Sequence, residues 1–327
     1  MENYLQIEFV KSSLNPNQGI SKPIDIIATD ENEYILKNSI AIQDGIEYDL
    51  NAAFFNEYLS YQLAKFLGIP TPDFALLKID NETLDSFPDL RFKYRFNTGI
   101  YLAIRKVENI NTKQLLTIYQ ILQNDNKKYI SKKINSIYKT ITNKEDIPRI
   151  IYFDLMTFNI DRFNNGGNLI FQTLPNGEKI ISIDYGFCFN GPFWNNKKQD
   201  FLNDCYNGKQ TYEIFKEDAL RHGSNHTLGF VFYFLTLNLD LKNKNPFYNI
   251  YQQSLNISKT LLTNWLNEIP NEWIQSIIQK QTYLNFIYKR IPQMPEIIDY
   301  FNNQGLFDGS IKQGEKLLWN APSINIQ

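Results

Sequence analysis

Along this chain the hydrophobic pattern changes period once, and the change divides it. From Leu5 to about Ile104 apolar residues fall in short, β-branched runs. Ile24–Lys37 reads as a hairpin, with T-D-E-N-E as its turn and β-branched residues on both arms. F-A-L-L-K-I and G-I-Y-L-A-I read as two more strands. One helix interrupts them: Phe54, Phe55, Leu59, Leu63 and Phe66 recur near the helical period between Asn51 and Leu67. Gly68 ends it in the way a C-terminal glycine does, and Pro70 and Pro72 fix the stop.

From Thr112 the pattern is largely helical. Leu115, Leu116, Tyr119, Ile121 and Leu122 open one helix, and Pro148–Phe158 gives another. Helices follow at Gln210–Arg221, Gly229–Leu239, Lys259–Leu266, Asn271–Arg290 and Glu296–Asn302. The expectation is an α+β protein of two lobes, a β-rich N-lobe over residues 1–105 and a helical C-lobe over 106–327, together one domain. No internal repeat or low-complexity linker breaks the 327 residues.

Composition narrows the partners. Hydrophobic residues are 43% and aromatics 15%, enough for a sizeable core. A formal charge of -2 leaves no basic footprint for nucleic acid. The two cysteines, Cys188 and Cys205, have no paired spacing and suit a reducing compartment. M-E-N-Y-L-Q-I-E lacks the regions of a signal peptide. The longest apolar run, Phe230–Leu237, is too short to span a bilayer and reads as a buried helix. A cytoplasmic protein with no membrane partner is expected. The only histidines, His222 and His226, share an R-H-G-S-N-H segment that reads as a solvated turn or helix cap, and their scarcity argues against a Ser-His-Asp mechanism. The C-terminal aromatics Trp265, Trp273, Tyr283, Phe286 and Tyr288 read as core.

Candidate chemistry concentrates between Asn159 and Gly186. N-I-D-R-F-N-N-G-G-N-L-I-F is followed, after a turn at P-N-G-E, by I-S-I-D-Y-G. Singly, the first is a polar turn and the second a strand end. In this order they have the spacing of the catalytic and metal half of a phosphoryl-transfer site. Asp161 is placed to meet an attacking hydroxyl, and Asn168 and Asp184 to hold magnesium, which accepts few protein oxygens and keeps several waters. Asn168 lies seven residues past Asp161, where the general loop has asparagine at the fifth, here Gly166. Asn164 and Asn165 therefore stay open as alternative ligands. Arg162 is expected to make a structural ion pair.

The first lobe offers the remaining parts. Lys37, ending Y-I-L-K, suits a phosphate-binding strand lysine, and Glu57 in A-F-F-N-E-Y-L-S suits its helix partner. Ile35 shares the face of Lys37 and would line an adenine pocket. N-P-N-Q-G-I-S-K-P offers Gly19 and Ser21 as a phosphate loop.

With these residues in place, the chain resembles the HipA-like kinases, in particular a small stand-alone branch. The resemblance rests on G-I-S-K-P-I, E-Y-I-L-K, N-E-Y-L-S-Y-Q-L-A-K-F-L-G with I-P-T-P-D-F-A, N-I-D-R, I-D-Y-G and the late I-P-N-E-W, and covers most of the chain. It implies a protein-kinase-like fold with nucleotide in the cleft between the lobes. It also implies ATP- and magnesium-dependent phosphorylation of a protein serine or threonine. Lys37 looks like the phosphate-binding lysine, Glu57 its partner, Asp161 the catalytic acid, and Asn168 and Asp184 the metal ligands. Phe163 stands where many relatives carry histidine. The extra N-terminal region of the best-known toxin kinases has no counterpart, so a toxin role does not follow. Two other readings stay open: a small-molecule or lipid kinase, whose D-R-F…N…I-D-Y-G pattern is similar, and a nucleotide-binding pseudokinase.

Overall fold

Period-two alternation builds a five-stranded antiparallel sheet in the computed structural model, which describes residues 4–11, 23–111, 127–224, 226–241, 245–307 and 315–319. Its strands are β1 (Ile7–Val10), β2 (Ile24–Ala28) and β3 (Glu33–Leu36), then β6 (Phe74–Ile79) and β7 (Gly99–Arg105), in the order β1-β2-β3-β7-β6. A separate ribbon, β4 (Ile40–Gln43) with β5 (Ile46–Asp49), leaves the sheet after Lys37. Register places Ile24 opposite Leu36 and Ile26 opposite Tyr34, and all four are buried. Ile35 lies on the other face, opposite Asp25 and Ile104, and is half-buried.

Helix α1 (Ala53–Phe66) follows the ribbon, close to the range read from the pattern. Leu59 and Leu63 are fully buried, and so is the polar Asn56. Gly68 takes a positive φ of 64° just past its end, as a glycine stop should. Arg149 donates to the last carbonyl, Leu67, at 2.7 Å, which places a cation at the negative end of the helix dipole. The lobe also carries two short helices the pattern did not flag, α2 (Asn81–Ser86) and α3 (Pro88–Phe92). Asp80 caps the first through the Thr83 amide, and Pro88 sits in the first turn of the second.

The crossover to the second lobe is pinned by backbone bonds. Asn111 N–H donates to Phe171 at 2.8 Å and Thr173 N–H to Asn109 at 2.8 Å. Beyond it come α4 (Lys127–Thr140), α5 (Ile147–Thr157), α6 (Ile160–Asn164) and a hairpin of β8 (Leu169–Leu174) and β9 (Gly177–Ser182). Then follow α7 (Asn196–Asn203), α8 (Gly208–Arg221), α9 (Phe230–Thr236), α10 (Tyr248–Ser254), α11 (Lys259–Asn267), α12 (Gln279–Arg290) and α13 (Met294–Asn303). The single helix expected over Asn271–Arg290 begins only at Gln279, because Asn271–Trp273 forms a separate 3-10 turn. The expected helix after Thr112 lies outside the described residues. The apolar run after Gly229 forms a buried helix, and no helix among the described residues is long and apolar enough to cross a membrane. Of the five late aromatics, Trp265, Trp273, Tyr283 and Phe286 are buried, while Tyr288 is exposed.

That late turn reaches back to the first lobe. Glu272 Oε1 accepts from the Ile100 amide and Trp273 Nε1 donates to the Ile100 carbonyl at 3.0 Å. The Trp273 ring lies 5.1 Å from Phe54 on α1, and Tyr58 donates to Glu268 at 2.8 Å.

Candidate active site

Four side chains distant in sequence meet where the lobes face each other. Lys37 stays in the ladder through its amide, which donates to Leu102 at 2.9 Å, and its ammonium stands beyond the end of β3. Nζ lies 3.2 Å from Glu57 Oε1 and 3.2 Å from Asp184 Oδ1. Asp184 reaches this position because the backbone turns left-handed there, at φ 60°, just after β9 ends. That conformation is unfavourable for a non-glycine residue and persists only where surrounding structure enforces it.

Asp161 is presented by α6. The chain reverses at Phe158, also left-handed at φ 48°, whose fully buried ring packs against Phe201, Tyr206 and Phe215. Asn168 donates its amide nitrogen to Asp161 Oδ2, which leaves the amide oxygen out of that bond. Asn165 also donates to Asp161, at 3.2 Å, but its oxygen accepts from the Gly167 amide. Asn164 turns away to Asp218, at 3.0 Å. Of the three asparagines left open by the sequence, Asn165 and Asn168 reach Asp161, and Asn165 spends its oxygen on the Gly167 amide.

Charge is out of balance here. Burial pushes the Glu57 carboxyl up to about 7, against the attraction of Lys37. Burial likewise raises Asp161, and the nearby Asp184 carboxylate adds to the effect. For Asp184 burial pushes the carboxyl up, but the Lys37 ammonium, a hydrogen bond with Glu57 and the Arg162 charge together outweigh it and hold it below the usual carboxylate range. Its side chain stays 42% exposed at the cleft, whereas Glu57 is 3% exposed. For Lys37 the two carboxylates outweigh burial and raise its pKa. Lys37 faces two carboxyl groups, Glu57 and Asp184, and Asp161 with the Asn168 amide adds further hard oxygen donors nearby. That donor set fits a divalent cation such as magnesium.

Arg162 and Asp154 hold the loop from behind, fully buried, with Nε 2.9 Å from the carboxylate. Arg162 also donates to the carbonyls of Asn168 and of Ile183, the latter at 2.9 Å, so one guanidinium ties the segments that carry Asn168 and Asp184 to α5. The expected structural pairing of Arg162 is present. Its partner Asp154 was missed, though a lone acid inside the apolar run of α5 was the available signal. Phe163 is buried against Phe215 and Phe232, where a histidine would need polar partners.

Gly229 closes the same loop from the other side. At φ 104° a Cβ would meet the Phe163 carbonyl at 2.1 Å, so only glycine fits. His222 follows the last residue of α8 with its ring 2.9 Å from the Asp218 carbonyl, which is the cap reading. Gly19 and Ser21 lie outside the described residues. Asn56 and Lys198, both buried beside this site, were not flagged by the sequence. Burial lowers the Lys198 amine to about 7.

A β-rich lobe with its lysine–glutamate pair, facing a helical lobe that carries two acidic loops, defines a kinase. The chain belongs to the HipA-like kinase family, whose sequence profile matches residues 8–231. Among solved structures, the Helicobacter pylori proinflammatory kinase CtkA shares the fold, with a TM-score of 0.50 and 14% identity over 90% of this chain and 96% of that one. The Golgi casein kinase with Mn/ADP bound gives a TM-score of 0.42 and 13% identity over 98% and 77%, too distant to carry an argument. No curated protein sequence matches the chain.

Proposed function

We propose that this kinase transfers the γ-phosphoryl group of ATP to a serine or threonine hydroxyl of a protein, with magnesium, in the cytosol. The observation that carries this reading is the meeting of Lys37 with both Glu57 and Asp184, beside an Asp161 bonded to Asn168. One kinase domain across residues 1–327, with the lobes joined after residue 105, accommodates it.

In this reading Asp161 orients the acceptor hydroxyl and takes its proton as the new O–P bond forms and the bond to ADP breaks. A carboxylate raised by burial is a better base at neutral pH than an exposed one. Lys37 holds phosphate oxygens, with Glu57 fixing its ammonium. Ile35 supplies an apolar wall for the adenine, and Gly19 and Ser21 the phosphate loop. Bound by Asp184 and Asn168, magnesium would supply charge neutralisation on the transferred group. The test is incubation with γ-labelled ATP, magnesium and a protein mixture. Label on polypeptide serine or threonine is expected; ADP release with label only on small molecules would move the reading to a small-molecule kinase.

A further inference from the structure

Asn56, the neighbour of Glu57 on α1, uses both ends of its buried amide. Nδ2 donates to the Gly186 carbonyl at 2.7 Å and the Gly191 carbonyl at 3.0 Å. Oδ1 accepts from the Tyr283 hydroxyl at 2.6 Å and from Lys198 Nζ at 3.3 Å. Lys198 donates as well to the Gly191 carbonyl, and its Nζ lies 5.6 Å from the centroid of the Tyr283 ring. Its side chain is 3% exposed, and among the described residues no carboxylate pairs with it. An amine buried without a counter-ion costs stability, so its retention calls for a purpose other than packing.

The rest of the segment is fastened just as closely. The Ala52 amide donates to Pro192 at 2.8 Å, the Trp194 amide to Asn51 at 2.7 Å, and the Phe189 amide to Thr157 at 2.5 Å. Residues 186–198 read G-F-C-F-N-G-P-F-W-N-N-K-K, with no serine, threonine or tyrosine. In kinases switched through this region, a phosphorylated residue paired with arginine orders the segment and thereby seats the glutamate helix. Here an amide and an amine hold backbone carbonyls in the place of that phosphate.

We propose that Asn56 and Lys198 are positioning residues that dock the D-Y-G segment on α1, so that Glu57, Lys37 and Asp184 stand assembled without phosphorylation of the chain. The inference rests on the phosphotransfer reading. The full chain, freed of phosphate by a phosphatase and checked by intact mass, is expected to release ADP from magnesium–ATP with the kcat of untreated protein. Lys198→Met and Asn56→Ala are expected to lower kcat about tenfold or more while KM for ATP moves within about threefold, the pattern of lost alignment at preserved binding. Hydrogen–deuterium exchange across residues 184–194 should quicken in both. If Asn56→Ala does not fold, Lys198→Met, close in length and apolar, carries the test. A kcat that falls on dephosphorylation, or a Lys198→Met protein with unchanged kcat and unchanged exchange, overturns the proposal. If the wild type turns over no ATP in either form, the phosphotransfer reading fails, and exchange alone then judges the docking: unchanged protection of 184–194 in Lys198→Met overturns it.

Discussion

Lys37 Nζ stands as near to Asp184 as to its helix partner Glu57, 3.2 Å from each. A single ammonium therefore joins strand, helix and metal-side loop. Lys37→Met should remove the ammonium that bridges these two carboxylates. ADP release is expected to fall by about 10²–10³, the usual scale for losing one preorganised electrostatic group. Wild-type turnover in this variant, measured at saturating ATP, would remove Lys37 from the mechanism.

Asp161 and Asp184 should separate in their effects. Asp161→Ala is expected to lower phosphoryl transfer by about 10²–10⁴ while calorimetry still detects ATP binding. Asp184→Ala should weaken magnesium-dependent binding and turnover together, because its carboxylate is proposed to hold the metal. Equal and intact binding in both variants would contradict the division of roles.

Arg162→Met should leave Asp154 as an unpaired charge in the interior. Breaking one side of a buried pair typically destabilises by about 3–5 kcal/mol. The double change Asp154→Leu with Arg162→Met should recover part of that loss in urea unfolding, although the carbonyls of Asn168 and Ile183 stay without their donor. If the double variant is no more stable than the single one, the pair is not what holds the loop.

Much of this arrangement was legible because it follows local periodicity. Alternation put Lys37 and Ile35 on one face, the helical period with Gly68 marked the helix of Glu57, and turn chemistry marked the loops of Asp161 and Asp184. What was not legible depends on contacts between distant segments. Nothing local to Asn56 announces that its amide meets Gly186, Gly191, Tyr283 and Lys198, and nothing in K-K at Lys197–Lys198 says which lysine is buried. Spacing alone likewise allowed Asn164, Asn165 and Asn168, and only the fold shows that Asn164 bonds Asp218 while the other two reach Asp161. The 3-10 turn at Asn271–Trp273 was hidden inside a helical pattern because its residues answer to the other lobe.

Gly229→Ala tests the support of the catalytic loop. The added methyl meets the Phe163 carbonyl, and the left-handed backbone disfavours any side chain. A loss of stability beyond about 1 kcal/mol is expected, with a fall in kcat as Phe163 and Asn164 shift. A variant with wild-type melting temperature and kcat would show that the approach is not tight.

Lys198 predicts a pH dependence of stability. Its pKa is lowered from 10.5 to about 7 by burial. Between about pH 7 and 10 the unfolded chain then binds a proton that the folded chain does not, so stability rises with pH through that window. Lys198→Met should flatten this rise, by a few kcal/mol at most. Denaturant midpoints at several pH values give the comparison, and an unchanged slope in the variant would refute the lowered amine.

Glu272 and Trp273 grip Ile100 and so tie the two lobes a second time, apart from the crossover bonds at residues 109–111. Lobes sewn together at two places cannot part freely, so nucleotide exchange should proceed by small breathing movements and release of ADP should respond to cutting either seam. Loosening the Ile100 seam alone, by changing Glu272, would therefore alter turnover although Glu272 lies far in sequence from every proposed site residue.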